Sequence, residues 1–159
     1  MINKKSKIFV AGHKGMVGSS IIRKLKKKGF TRILFKDKKK LNLHDQGKVF
    51  KFLKKTKPDL VIIAAAKVGG IMANNNKPVE FLIENLKIQN NLIEAAYNFG
   101  VKRLLFLGSS CIYPRDCPQP IKEDYLLSGY LEATNQWYAI AKIAGIKLCQ
   151  ALRKEHGFD

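Results

Sequence analysis

The sequence lacks any apolar run long enough to cross a bilayer. Its longest, such as Leu60 to Ala66 and Leu104 to Leu107, fall far short of the roughly 20 residues a spanning helix needs. The basic start, Met1-Ile2-Asn3-Lys4-Lys5-Ser6-Lys7, leads only into Ile8 to Ala11, too brief for the apolar core of an export signal. A cytoplasmic protein without a membrane anchor is therefore expected. Cysteine is scarce too. Cys111, Cys117 and Cys149 form no Cys-x-x-Cys and stand near no histidine pair, which argues against a metal site or a disulfide frame and suits a reducing compartment. Acidic side chains are few: 12 Asp and Glu against 30 Lys and Arg give a formal net charge of +18. Nearly all of that excess is lysine at expected helix surfaces and turns, including Lys24, Lys26 to Lys28, Lys54 and Lys55. The interleaved arginine and exposed aromatics of a base-stacking surface are missing, so the charge reads as solvated faces and an attraction for small anions rather than nucleic acid. No repeat or low-complexity tract breaks the chain, and 159 residues support one domain.

What is present is an alternation of two periodicities. Lys7 to Ala11 reads as a buried strand, then a glycine turn, then a helix through Ile21, Ile22 and Leu25 that stops at Gly29, which suits a left-handed cap. Arg32 to Phe35 is a second strand, Asp45 to Lys55 a helix, and Leu60 to Ile63 a third strand after Pro58. Ala64 to Pro78 is rich in small residues and asparagine and reads as a long loop. Phe81, Asn85, Ile88, Leu92, Ala95 and Phe99 then form a helical stripe ended by Gly100. Lys102 to Leu107 is apolar at successive positions, as expected of a strand covered on both faces. A turn-rich stretch from Gly108 to Thr134 precedes a last helix that frays near Gly157. Strand, helix, strand repeated in this way predicts an α/β, Rossmann-like, doubly wound parallel sheet with right-handed crossovers.

Three motifs carry chemistry on that frame. Tyr138 and Lys142 are four residues apart on the last helix, which stacks them on one face. An ammonium beside a phenol favours the phenolate, so a lowered tyrosine pKa and a proton-transfer role are expected. Gly12-x-x-Gly15-x-x-Gly18 lies between a strand and a helix, where glycine lets backbone approach a pyrophosphate and a helix N-terminus receives it. After the second strand, Lys36-Asp37-Lys38-Lys39-Lys40 offers both a carboxylate for a ribose hydroxyl and cations for a ribose phosphate. With Lys14 added, the balance favours NADP(H). Gly108-Ser109-Ser110-Cys111 ends the fourth strand at the edge where open parallel sheets bind ligands. A hydroxyl there can meet a carbonyl oxygen, and a thiol could move protons at a neighbouring carbon.

Ala11 to Gly18, Ala64 to Ile71 with Ala73-Asn74-Asn75, Leu104 to Pro114, and Tyr138 to Cys149 together resemble the GDP-L-fucose synthase family. These are the epimerase-reductases of the extended short-chain dehydrogenase group, and the resemblance runs from about Lys7 to Gly157. It implies an NADPH-dependent reaction on GDP-4-keto-6-deoxy-D-mannose, in which C3 and C5 are epimerised and the C4 ketone is reduced. Ser109 and Tyr138 would contact the keto oxygen, Tyr138 protonating it. Lys142 would bind the nicotinamide ribose, and Cys111 would carry protons in epimerisation. Gly12, Lys14, Gly15, Met16, Val17, Gly18, Lys38, Asn42, Leu43, Ala65, Tyr138 and Lys142 would hold the cofactor. Another nucleotide-sugar epimerase or dehydratase of the group, or a non-catalytic cofactor-binding remnant, are the alternatives.

Lys14 and Lys38 stand where the family often has arginine, and Ala133 and Gln136-Trp137 depart from its usual residues before the tyrosine. The chain stops at Phe158-Asp159, where the family continues with further strands, a histidine that partners the cysteine, and a GDP-binding domain. Residues 1–159 are thus expected to be an NADP-binding domain incomplete at its C-terminus, lacking the later strands and the substrate domain. Activity would then need a second half, in cis or from a complementing chain. The resemblance also implies a homodimer built on the Phe81 to Phe99 helix and the Tyr138 helix.

Overall fold

The computed structural model describes residues 2–159. Its elements run β1 (Ile8–Ala11), α1 (Met16–Lys27), β2 (Ile33–Leu34), α2 (Gln46–Thr56), β3 (Leu60–Ile63), α3 (Ile71–Asn76), α4 (Pro78–Asn98), β4 (Arg103–Phe106) and α5 (Gln136–His156), with short 3₁₀ turns at Ser110–Ile112 and Glu123–Tyr125. The four strands form one sheet in the order β2-β1-β3-β4. Every pairing is parallel. Ala11 pairs with Ile63, and Ile63 with Phe106, so Gly12, Ala64 and Leu107 leave the sheet along one carboxyl edge. That shared edge is what brings distant motifs together.

The central strands β1 and β3 are buried at nearly every position, as a parallel sheet requires. Their two faces are covered unequally. Phe9, Ala11, Val61 and Ile63 pack with Val49 and Leu53 of α2 and Ile88, Leu92 and Ala95 of α4, with α5 adding Leu148 and Leu152. Ile8, Val10 and Ile62 on the other face meet only the α1 side, through Ile21, Ile22, Leu25 and Phe30. The alternation along β4 follows from this. Leu104 and Phe106 pack into the first cluster, whereas Leu105 is 46% exposed. Among the described residues the expectation of a strand covered on both faces is corrected: β4 lies at the edge with its Leu105 face uncovered, because α1 does not reach that far across the sheet. Beside it, the Leu104 N–H donates to the Asp159 carbonyl at 2.8 Å, and Arg103 and Arg153 bind the Asp159 carboxylate at 2.7 and 2.8 Å.

Two further differences concern helices. The stretch read as a loop from Ala64 to Pro78 contains α3, whose start is organised by the Asn74 amide donating to the carbonyls of Gly69 and Gly70. Pro78 opens α4 at a position where its missing N–H costs nothing. The α4 stripe is used within the chain, against the sheet, its neighbouring helices and the segment after β3: Phe81, Asn85, Ile88, Leu92 and Ala95 are all buried, and Ile93 with them. Val79 and Ile83 stay exposed on the outer side. Gly29, at φ +81°, ends the turn after α1 in the left-handed region, as the sequence suggests. Among the described residues, no helix is long and apolar enough to cross a membrane.

Candidate active site

The carboxyl edge of the sheet holds two adjoining features, a cleft built from backbone and a corner built from side chains. The cleft has a volume of about 1030 Å³ and is walled by the β1–α1 turn, the segment after β2 and the segment after β3. Gly12, Lys14, Gly15, Met16, Val17, Lys38, Asn42, Leu43 and Ala65 all line it. Gly18 does not: it is buried inside α1, where an added Cβ would collide with the Gly12 carbonyl. Gly12 itself takes φ +86°, and a Cβ there would come within 2.6 Å of the Ala65 nitrogen. These glycines let the turn fold on itself and press against the strand beside it.

The first turn of α1 carries no acidic residue and no side-chain cap, so its leading N–H groups open onto the cleft. The neighbouring α2 is finished differently. Asp45 accepts from the Lys48 N–H at 3.0 Å and satisfies that terminus internally. An uncapped helix start, glycine-only approach and exposed lysines make a cradle that fits a dinucleotide pyrophosphate.

At the far rim, Asp37 lies 2.7 Å from the Lys14 ammonium and 3.2 Å from His13 Nε2. The Lys14 contact, with help from His13, holds the Asp37 carboxyl below its ordinary value. His13 stacks on Phe35 with ring centroids 4.9 Å apart. His13, Glu84 and Lys67 are cleft residues that sequence reasoning missed. His13 lay inside the glycine turn and could have been found there. The Lys67 segment is held from below by buried Asn85, which accepts from the Lys67 N–H at 2.9 Å and donates to its carbonyl at 3.0 Å. In the sequence Asn85 was only a polar member of an apolar stripe.

The corner sits at the end of β4, next to the cleft rather than among its walls. Ser109 Oγ and Cys111 Sγ are 3.2 Å apart. Both bear on Tyr138 electrostatically: the Ser109 hydroxyl favours its phenolate, and Cys111 disfavours it. Cys111 also lies close enough to bear on Lys142. Ser109, Cys111, Tyr138 and Lys142 therefore share one corner, as their spacing along the chain could not show alone.

Electrostatics within it differ from expectation. Burial, the largest effect, pushes the Tyr138 phenol up rather than down. The expected acidification by Lys142 is absent because that side chain is turned elsewhere. It is only 4% exposed, its Nζ donates to the Leu107 carbonyl at 2.9 Å, and it lies 4.5 Å above the Phe106 ring centre but 5.9 Å from that of Tyr138. Burial brings the amine down to about 8. The Tyr138 phenol is thus held in its protonated form, and Lys142 is an amine that changes charge at about pH 8.

The supports of this corner are tight. A Cβ on Gly145 would lie 2.7 Å from the Phe106 ring and 2.9 Å from Gln89. Buried Gln89 donates to the Ala141 carbonyl at 2.6 Å, tying α4 to α5 one residue before Lys142.

The chain is 59% identical over 159 residues to GDP-L-fucose synthase 1 of Arabidopsis thaliana, covering 100% of itself and 49% of that relative. It is 50% identical over 155 residues to the GDP-L-fucose synthase of Escherichia coli K12, covering 98% of itself and 48% of the relative. The solved structure of a GDP-mannoheptose C4 reductase from Campylobacter jejuni with NADP bound matches with TM-score 0.96 at 38% identity, over 100% of this chain and 50% of that one. The chain thus spans about half the length of the curated relatives it matches. Residues 8–159 match the NAD dependent epimerase/dehydratase family, and with the parallel sheet and glycine cradle in place we conclude that the chain belongs to it.

Proposed function

We propose that these residues form the cofactor-binding half of a GDP-L-fucose synthase, acting with NADP(H) on GDP-4-keto-6-deoxy-D-mannose. One observation carries the reading: Ser109, Cys111, Tyr138 and Lys142 converge beside a glycine-walled cleft. Similarity to the synthases of Arabidopsis and Escherichia coli supports the substrate. When bound, the nicotinamide supplies the hydride for ketone reduction. The chain's own residues do the rest. The open N–H groups of α1 and the Gly12 turn hold the pyrophosphate. Lys14 and Lys38 face the ribose phosphate, and Lys142 takes the nicotinamide ribose once its amine turns from the Leu107 carbonyl. Tyr138, kept protonated by burial, gives its proton to the keto oxygen while Ser109 orients that oxygen. The ketone acidifies the C–H bonds on both neighbouring carbons, and Cys111 moves protons there. A cytoplasmic setting goes with this reading, since a proton-carrying thiol has to stay reduced. Pairing of two copies through α4 and α5 is supported by the exposed Val79, Ile83, Trp137 and Ile140.

A second reading, a C4 reductase without epimerisation, is favoured by the likeness to the Campylobacter jejuni reductase. Both are tested by joining residues 1–159 to the second half of the Arabidopsis synthase. The proposal expects NADPH-dependent formation of GDP-L-fucose, lost as epimerisation in Cys111→Ser. Reduction without epimerisation would favour the second reading. A chimera that folds and binds NADPH yet converts nothing would leave a non-catalytic module.

A further inference from the structure

The rim of the cleft at Asp37 is unusual in offering an anion and its competitor together. This inference rests on the dinucleotide reading above. In open parallel sheets of this kind, the residue just after the second strand meets the adenosine ribose. A ribose 2′-hydroxyl donates to a carboxylate there, whereas a 2′-phosphate is repelled by it and needs a cation. Lys14 is the shared cation: its ammonium sits 2.7 Å from Asp37 and its side chain is 76% exposed, so it can turn to either anion. Lys36, Lys38 and Lys39 line the same rim and keep a phosphate from being excluded. His13 is fixed by stacking on Phe35 and stays 3.2 Å from Asp37, so the carboxylate keeps a partner when Lys14 leaves.

We propose that Asp37 is a specificity-determining residue that makes this chain accept NAD(H) as well as NADP(H), with Lys14 exchanged between the carboxylate and the 2′-phosphate. With a hydroxyl in place, Asp37 accepts its hydrogen bond and keeps Lys14. With a phosphate in place, Lys14 crosses to it, and the Asp37–Lys14 contact is lost.

The test is calorimetric binding of NADH and NADPH to the full chain at fixed ionic strength, with Asp37→Ser and Asp37→Asn as variants. Both are expected to tighten NADPH and weaken NADH, moving the ratio of dissociation constants by about tenfold or more. A smaller movement in both variants, with each still folded by its melting curve, overturns the inference alone. Absence of binding by either nucleotide to the unaltered chain overturns the dinucleotide reading and this inference with it. Lys14→Met should weaken NADPH more than NADH; equal weakening would also count against the exchange.

Discussion

The cleft and the corner adjoin on one sheet edge but are made in opposite ways. The cleft exists because side chains are missing: Gly12 and Gly18 allow backbone to meet backbone at distances no Cβ permits. The corner exists because side chains crowd: Phe106 and Gln89 fill the space that Gly145 opens beneath α5, and Lys142 lies over the Phe106 ring. A site of the first kind tolerates no substitution where backbone meets backbone, at Gly12 and Gly18, and much at its rim. A site of the second kind is tuned by burial, so its acid–base behaviour depends on packing several residues away.

Gly12→Ala strikes the cleft hardest. It combines a positive φ with contact at 2.6 Å on the Ala65 backbone, and should cost about 4 kcal/mol or more, read as loss of cooperative unfolding and of dinucleotide binding. A variant that melts normally would remove the backbone-built description. In the corner, Tyr138→Phe in the chimera should lower the rate of ketone reduction by roughly 10²- to 10⁴-fold while NADPH affinity holds. An unchanged rate would show that another group donates the proton.

Gly145→Ala tests the crowding directly. The methyl must displace Phe106 and Gln89, for a loss of about 1–3 kcal/mol by urea unfolding, with the cleft's affinity for NADPH little altered. Equal damage to both would show that cleft and corner are one unit.

Lys142 gives a smaller, pH-dependent effect. Its amine titrates at about 8 when folded, against 10.5 for an ordinary lysine, so between those values the unfolded chain binds the proton and the folded chain does not. Stability relative to Lys142→Met should rise with pH across that window, by at most about 1.4 kcal/mol per pH unit. A flat difference would mean the amine is not buried as described. Smallest is a labelling contrast. Burial pushes the Cys149 thiol up to about 11, so it should alkylate far more slowly than Cys111 at pH 8, judged by mass spectrometry of digested protein.

How much of this was legible beforehand differs between the two regions for the same reason. The glycine turn is a local object, and its spacing between a strand and a helix already implies its backbone geometry. The register that aligns Ala11, Ile63 and Phe106 follows from three apolar runs of similar length, so the meeting of distant motifs was also within reach. The electrostatics of Tyr138 were not. A four-residue spacing shows that two side chains share a helix face, but not that a carbonyl at Leu107 takes the amine or that burial governs the phenol. Likewise, successive apolar residues in β4 cannot say whether a helix reaches the second face, and asparagine-rich α3 carries no apolar period to announce it.

Lys142 rests on the first carbonyl beyond β4. The ammonium's grip on the Leu107 carbonyl and the Phe106 ring gears its proton affinity to where β4 lies. Whatever displaces that strand, or steadies it, will be registered at the amine as a gain or release of hydrogen ion. The sheet margin and the reactive corner are thus mechanically one lever.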